Sequence, residues 1–186
     1  MNINIICIIC IIIFIVLYFK SLQYPTINEI SRIDNNIYIV RDELNKQQAA
    51  NILAIIKHKS ILLIEKLFIE YPNDNKILLL IKKFNPNNIY ETSYKKKYTS
   101  YSYNKGEQIY LCLRNSVQEF VDINIIFYVM MHELTHIMTD SWGHNNIFWD
   151  NFKFIINHAI KYKLYIFIDY QQYPQPYCGI KINSNP

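Results

Sequence analysis

The chain has 186 residues and a net charge of +4, which is too modest to indicate a nucleic-acid-binding protein by itself. Four cysteines are too few and too scattered for a small disulfide scaffold. The sequence also lacks a P-loop, a GxGxxG fingerprint and internal repeats of about 20–50 residues, which excludes the nucleotide-binding and repeat proteins that carry them.

The amino-terminal segment is almost entirely apolar. Across residues 3–19 the strongly polar residue is Asn4. As a helix this stretch would cover roughly 25 Å, the short end of what spans a bilayer. A cleaved signal peptide fits less well, because no basic residue precedes the segment and no small-residue cleavage site follows it. We predict a single-pass membrane anchor at residues 1–20, with a cytoplasmic domain because Lys20 and Arg32 follow it.

The rest of the chain is long enough for one domain with its own core. Residues 21–36 are predicted to be a tether, and residues 37–186 the domain. A first strand is expected at residues 37–40. Asp42 is expected to cap a long helix at residues 43–71, where apolar side chains recur with helical spacing.

A β-hairpin is predicted before the second group of helices. Residues 98–103 and 108–113 have the residue types of strands, and Gly106 supplies the positive φ that the turn between them requires. A strand in this position could lie along a binding cleft and pair with an extended peptide.

Two helices are predicted after the hairpin. The first covers residues 124–139 and is expected to be capped by Asn124, and the second covers residues 145–163. The second helix has one apolar face, formed by Phe148, Phe152, Ile155 and Ala159. Together the elements predict an α+β fold, with helices packed on a small antiparallel sheet.

The first of these helices carries the sequence His-Glu-x-x-His. Two histidines four residues apart lie on one face of a helix and can bind the same metal ion, so His132 and His136 are predicted zinc ligands. Glu133 would lie beside the open position of the metal and accept a proton from bound water, which makes it the predicted catalytic base. The simpler alternative is that the two histidines lie on a surface helix and bind no metal.

The third ligand decides between a catalytic and a structural zinc site. No glutamate follows Glu133, so a thermolysin-type glutamate ligand is excluded. His144 follows a helix-breaking segment and is the favoured third ligand. His158 is expected to be a helix-surface or core histidine, and Asp140 and Asp150 are lesser candidates.

The motif residues, with Gly143-His144-Asn145 and Phe148-Trp149, resemble the WLM branch of the SprT-like zinc metallopeptidases, in particular the version found in large cytoplasmic DNA viruses. The resemblance covers roughly residues 90–186. It implies a minimal zincin-like domain, a bound Zn²⁺ and hydrolysis of peptide bonds in a protein or peptide substrate. Phe148 and Trp149 are expected to pack behind the metal. The membrane would then be that of a virion or of the host cell interior.

Two further features leave alternatives open. Lys95, Lys96 and Lys97 lie between tyrosines and could bind single-stranded nucleic acid or anionic lipid headgroups, although a solvated loop is the favoured interpretation. Cys112 and Cys178 could pair if their strands are adjacent, but we expect buried free thiols in a reducing compartment.

The sequence therefore predicts a membrane-anchored zinc-dependent metalloendopeptidase, in which Glu133 assists attack of zinc-bound water on the peptide bond. One alternative is a catalytically silent metal-binding structural or interaction protein of a membrane or virion, which would normally have lost Glu133. Another is a DNA-associated protease acting on proteins crosslinked to DNA. No pattern in the chain indicates an oligomeric state.

Overall fold

The computed structural model describes residues 9–15, 26–93 and 99–186. Residues 9–15 are helical, with exposed side chains, and are named α1. The other elements, in chain order, are β1 (Thr26–Ile30), β2 (Ile37–Arg41), α2 (Lys46–Glu70), α3 (Asn75–Lys83), β3 (Ile89–Glu91), β4 (Tyr101–Tyr103), β5 (Gln108–Leu111), α4 (Ile123–Met138), α5 (Asn146–Lys161), β6 (Gln175–Tyr177) and β7 (Ile180–Ile182). This mixture confirms an α+β domain.

The predicted single-pass membrane location is contradicted. Crossing a bilayer takes about 20 predominantly apolar residues in one helix. In the three described stretches, no helix combines the length and the apolar character that a membrane span needs. Helix α2 has 25 residues, for example, but includes Lys57, Lys59 and Lys66. The other residues of the predicted anchor, 1–8 and 16–20, lie outside the described part of the chain.

The predicted strand at residues 37–40 is confirmed as β2, and it has a partner that the sequence did not predict. Strand β1 lies in the segment assigned to a tether and pairs antiparallel with β2, with Ile30 opposite Ile37. Residues 26–30 of that segment are therefore part of a sheet.

The central sheet has the strand order β3-β5-β4. The predicted hairpin is confirmed: β4 pairs antiparallel with β5, with Ser102 opposite Ile109. The expectation of a wholly antiparallel sheet is wrong, because β3 runs parallel to β5. Strand β4, which lies between them in the sequence, runs in the opposite direction to both.

Helix α4 lies at the centre of the domain and contacts α2, α3, α5, β4 and β5. Its inward side chains are almost completely inaccessible, as are those of α2 that face them. The buried positions include Leu53, Ile56, Leu63, Leu67, Ile126, Phe127, Met130, Leu134 and Ile137. Full burial of an aliphatic or phenylalanine side chain contributes about 1.5–3 kcal/mol, so this contact stabilises the helix that carries the histidines.

Two helix starts differ from the predicted caps. Asp122, not Asn124, caps α4 by accepting a hydrogen bond from the backbone N–H of Asn124 at 2.7 Å. The Asn124 side chain instead bonds the backbone of Ile166 at 2.8 and 2.9 Å, which fixes the chain after α5 to the start of α4. Helix α2 begins after Asn45, and Asp42 forms an ion pair with Lys46.

A buried ion network joins β2, β3 and the chain after β5. The Glu91 carboxylate accepts a hydrogen bond from Arg114 Nε at 2.8 Å and another from the Arg41 backbone N–H at 2.7 Å. The Arg41 side chain donates to the carbonyl oxygen of Thr92 at 2.8 Å. The side chains of Glu91 and Arg114 are completely inaccessible to solvent.

The expectation of free thiols at Cys112 and Cys178 is wrong, because the two residues form a disulfide. Strands β6 and β7 form a hairpin with a two-residue turn, Cys178 and Gly179, both with positive φ. This is the pattern of a type I′ turn. Tyr177 donates from its hydroxyl to the carbonyl oxygen of Cys112 at 2.9 Å, which places the hairpin against the end of β5 and brings the sulphurs together.

Candidate metal centre

The two histidines of the motif lie one helical turn apart on α4, and the chain then turns back to bring a third beside them. Helix α4 ends at Met138. Gly143 has φ +80° in the connection to α5, where a glycine is readily accommodated. Asn145 then caps α5 by accepting a hydrogen bond from the Phe148 N–H at 3.0 Å. Both ends of this connection are thereby fixed, with His144 between them.

His132, His136 and His144 form a compact cluster. The Nε2 atom of His144 lies 3.0 Å from that of His132 and 3.2 Å from that of His136. The ligand atoms that the three side chains offer all lie within 4.8 Å of one another. The structure thus brings together the three predicted ligands in an arrangement that could hold a metal ion.

The lesser candidates lie apart from this cluster. His158 is near the end of α5, with Nδ1 2.8 Å from the Phe154 carbonyl oxygen and Nε2 2.9 Å from the Tyr71 hydroxyl. This confirms its expected structural role. Asp140 and Asp150 are exposed and are not among the clustered side chains.

Burial favours neutral imidazoles in the cluster. Burial, reinforced by the neighbouring histidines, lowers the pKa of His132 to about 3. Burial likewise lowers the pKa of His136 to about 4, with contributions from His144 and from the positive charge of Lys105. Both rings are therefore uncharged at neutral pH, and the uncharged form is the one that binds metal ions.

Phe148 supports all three imidazoles from behind. Its side chain is completely buried, and its ring centroid lies 4.9, 4.5 and 4.6 Å from those of His132, His136 and His144. This matches the packing expected for Phe148. Trp149 is 5.8 Å from the His144 ring and 40% exposed, so it also faces solvent.

Glu133 lies beside the cluster with 5% of its surface exposed. Burial raises the pKa of its carboxyl group to about 7, against the opposing effect of hydrogen bonds from the side chain and backbone of Ser102. Ser102 belongs to β4, an edge strand in the described part of the sheet. The sequence analysis did not find Ser102, because only the packing of β4 against α4 reveals its contact with Glu133.

A cleft of about 300 Å³ opens over the cluster. One wall is formed by β4 and the turn after it, and the other by the connection between α4 and α5. Lys105 joins the walls, because its ammonium group donates to the carbonyl oxygens of Thr139 and Asp140 and lies 4.7 Å from the centre of the Trp142 ring. The segment carrying Lys95, Lys96 and Lys97 lies outside the described residues.

Gly106 allows the hairpin turn to lie directly against α4. Its φ is +101°, as predicted for this turn, and a Cβ atom built there would be 2.5 Å from the side chain of Ile137. A larger residue at this position would therefore force the turn or the Ile137 side chain to shift.

Residues 35–171, most of the chain, match the family model described as the WLM domain. The chain belongs to the WLM family. An uncharacterized protein of Acanthamoeba polyphaga mimivirus is 36% identical to it over 163 residues, which are 83% of this chain and 81% of the relative. An uncharacterized protein of Invertebrate iridescent virus 6 is 33% identical over 69 residues, or 36% of this chain and 38% of the relative. These viral relatives confirm the resemblance to the WLM version of large DNA viruses.

Solved structures of Wss1 from Saccharomyces cerevisiae are also similar to this WLM domain. One is 24% identical, with a TM-score of 0.48 over 65% of this chain and 84% of Wss1. A Wss1 mutant gives 24% identity and a TM-score of 0.49 over 67% of this chain and 90% of the mutant.

Proposed function

We propose that this WLM domain is a zinc-dependent metalloendopeptidase. The observation that carries the proposal is the approach of three imidazole nitrogens, at 3.0 and 3.2 Å, beside the buried carboxylate of Glu133. The family is associated with zinc and known for protease activity, which agrees with this chemistry.

The three histidines fit a catalytic zinc ion. Zinc takes imidazole nitrogens at about 2.0–2.1 Å in tetrahedral geometry, which separates two ligand nitrogens by roughly 3.3 Å. The observed separations of 3.0 and 3.2 Å are close to this value. Three protein ligands leave one position for water or substrate, which is the arrangement of catalytic rather than structural zinc.

A zinc ion held by these residues would supply Lewis-acid polarisation of a carbonyl group and would acidify a water molecule. The Glu133 carboxylate would take the proton of the attacking water and pass it to the leaving amine. In the free domain Ser102 holds the carboxylate in place through one hydrogen bond from its side chain and one from its backbone.

Strand β4 offers a place for the substrate backbone. It forms one wall of the cleft, and β5 occupies only one of its two edges among the described strands. An extended peptide could add to the other edge by displacing the hydrogen bond from the Ser102 backbone to Glu133, and would then lie across the metal ligands. Tyr177 is not used in this scheme, because its hydroxyl is already bonded to the Cys112 carbonyl oxygen and lies 2.6 Å from Ser100 Oγ.

The burial of Glu133 favours a catalytic site over a metal-binding module without activity. A metal site with only a structural role would not need a carboxylic acid kept buried beside it, because burying an ionisable group without a compensating function costs free energy. Here the group is retained, buried and oriented by Ser102.

The test uses the full chain, Glu133→Gln and His144→Ala. We expect about one zinc per chain in the parent and in Glu133→Gln, and a large loss of zinc in His144→Ala. The parent should cleave an unfolded protein such as casein, whereas Glu133→Gln should be slower by at least about a hundred-fold. Equal cleavage by the parent and Glu133→Gln would refute the role of Glu133. Full zinc occupancy in His144→Ala would move the third ligand elsewhere.

A further inference from the structure

A second, apolar cavity of about 600 Å³ adjoins the metal centre on the side away from His136 and His144. It is bounded by His132 and Glu133 on the side of the metal centre and by Thr99 and Ser100 near the start of β4. The side chains that give it its apolar character are Tyr128, Val129, Trp149, Phe152, Ile180 and Ile182.

The outer wall of this cavity is the chain that follows β6, and it is fixed at both ends. At one end the disulfide of Cys178 attaches it to the end of β5. At the other end Tyr128 donates from its hydroxyl to the Ser184 carbonyl oxygen at 3.1 Å, and Asn185 accepts from the Tyr170 N–H at 2.7 Å. The rest of the domain therefore holds this outer wall in place.

The direction of β4 shows which part of a substrate would reach the cavity. Thr99, just before β4, borders the apolar cavity and not the cleft, whereas Asn104 and Lys105, just after β4, border the cleft over the metal ligands and not the cavity; Ser100 borders both. A peptide pairing antiparallel to β4, the more stable pairing per residue, would run from Lys105 towards Ser100. Its carboxyl-terminal half would then lie over the apolar cavity.

We infer that this cavity is a specificity pocket for a large apolar or aromatic side chain on the residue immediately after the scissile bond. The inference rests on the proposed peptidase function. Glu133 borders both the cleft and the cavity, so the scissile bond would lie at their junction and the next side chain would enter the cavity. The aromatic faces of Trp149 and Phe152 and the aliphatic Val129 would remove that side chain from water.

The first test compares quenched fluorescent peptides that differ only at the residue after the cleaved bond, with the cleavage site confirmed by mass spectrometry. We expect kcat/KM for phenylalanine or leucine at this position to exceed that for alanine or aspartate by about ten-fold to a hundred-fold. Cleavage by the zinc-loaded full chain without this preference would overturn the inference and leave the peptidase function intact.

A matched pair of variants locates the preference. Val129→Phe would fill part of the cavity without altering a metal ligand, whereas Val117→Phe makes the same change at a position that is 69% exposed and does not line it. We expect Val129→Phe to reduce the preference for phenylalanine at least five-fold, with zinc content retained, and Val117→Phe to preserve it. A preference unchanged by Val129→Phe would contradict the assignment.

A binding measurement separates the pocket from catalysis. The chain has two tryptophans, so Trp142→Phe leaves Trp149 as a fluorescent reporter in the cavity wall. We expect a saturable fluorescence change with N-acetylphenylalanine amide and none with N-acetylalanine amide. If no peptide is cleaved, the peptidase proposal fails, but this titration still tests whether the cavity binds an apolar side chain. A saturable response to N-acetylphenylalanine amide supports the pocket, and a flat response to both amides overturns it.

Discussion

Removal of the Cys112–Cys178 disulfide should lower the free energy of unfolding by about 4 kcal/mol. The bond closes a loop with a sequence separation of 66 residues, and the chain entropy that such a loop removes from the unfolded state corresponds to about this value at room temperature. The perturbation is the double substitution Cys112→Ala and Cys178→Ala, which removes both sulphurs and leaves no unpaired thiol at these two positions.

The assay is urea unfolding followed by circular dichroism, with the metal content held equal in all samples. For a domain of this size a loss of 4 kcal/mol corresponds to a fall in Tm of roughly 8–16 °C, so thermal unfolding gives a second measurement. The parent protein reduced with tris(2-carboxyethyl)phosphine is the internal control, since it loses the same constraint without a mutation.

Two results would refute this reasoning. If the reduced parent unfolds at the same urea concentration as the oxidised parent, the bond does not constrain the unfolded chain. If the double variant is much less stable than the reduced parent, the loss comes from packing around the side chains and not from loop closure.

Three further predictions concern the buried ion network, a surface ion pair and the turn beside the metal centre. Glu91→Gln should destabilise the domain by about 3–5 kcal/mol in urea unfolding, because it leaves the buried guanidinium of Arg114 without its carboxylate. Hydrogen bonding, mainly from Lys161, lowers the pKa of Glu70 to about 2. The stabilisation that the ionised carboxylate gives to the folded domain is therefore complete above pH 4.5 and is lost as the pH falls from 4.5 to 2. Thermal unfolding at several pH values should show a smaller loss over this window in Glu70→Gln than in the parent. Gly106→Ala should lower Tm and slow cleavage of the substrate together, since the added Cβ would collide with the Ile137 side chain of α4; an unchanged Tm would show that the turn or this side chain moves without cost.

Local patterns in the sequence predicted the elements that carry the metal ligands. Helical spacing placed His132 and His136 on one face, and the helix break before His144 indicated how a third side chain could return to them. Phe148 belonged to an apolar face with a period of 3.6 residues, and that face is buried against the cluster. These features depend on residues that are close to each other in the sequence.

Features that depend on distant residues were missed or wrongly predicted. The contact of Ser102 with Glu133 requires a strand to pack against a helix that begins 21 residues later, and residue types do not reveal it. Cys112 and Cys178 are separated by 66 residues, and their pairing follows from the position of a hairpin near the end of the chain. The start of α4 was placed at Asn124, but Asp122 offers the same capping chemistry two residues earlier and leaves the asparagine free to bond Ile166.

The hydrogen bond from the Ser102 backbone to Glu133 has a consequence for the solubility of the protein. An edge strand with unsatisfied backbone donors is a template for pairing with a strand of another molecule, and proteins protect such edges in order to avoid aggregation. Glu133 already occupies the outward N–H of Ser102 when no substrate is bound. The resting domain therefore shields its own edge with the residue proposed to act in catalysis, and only a peptide that can displace this contact will add to the sheet.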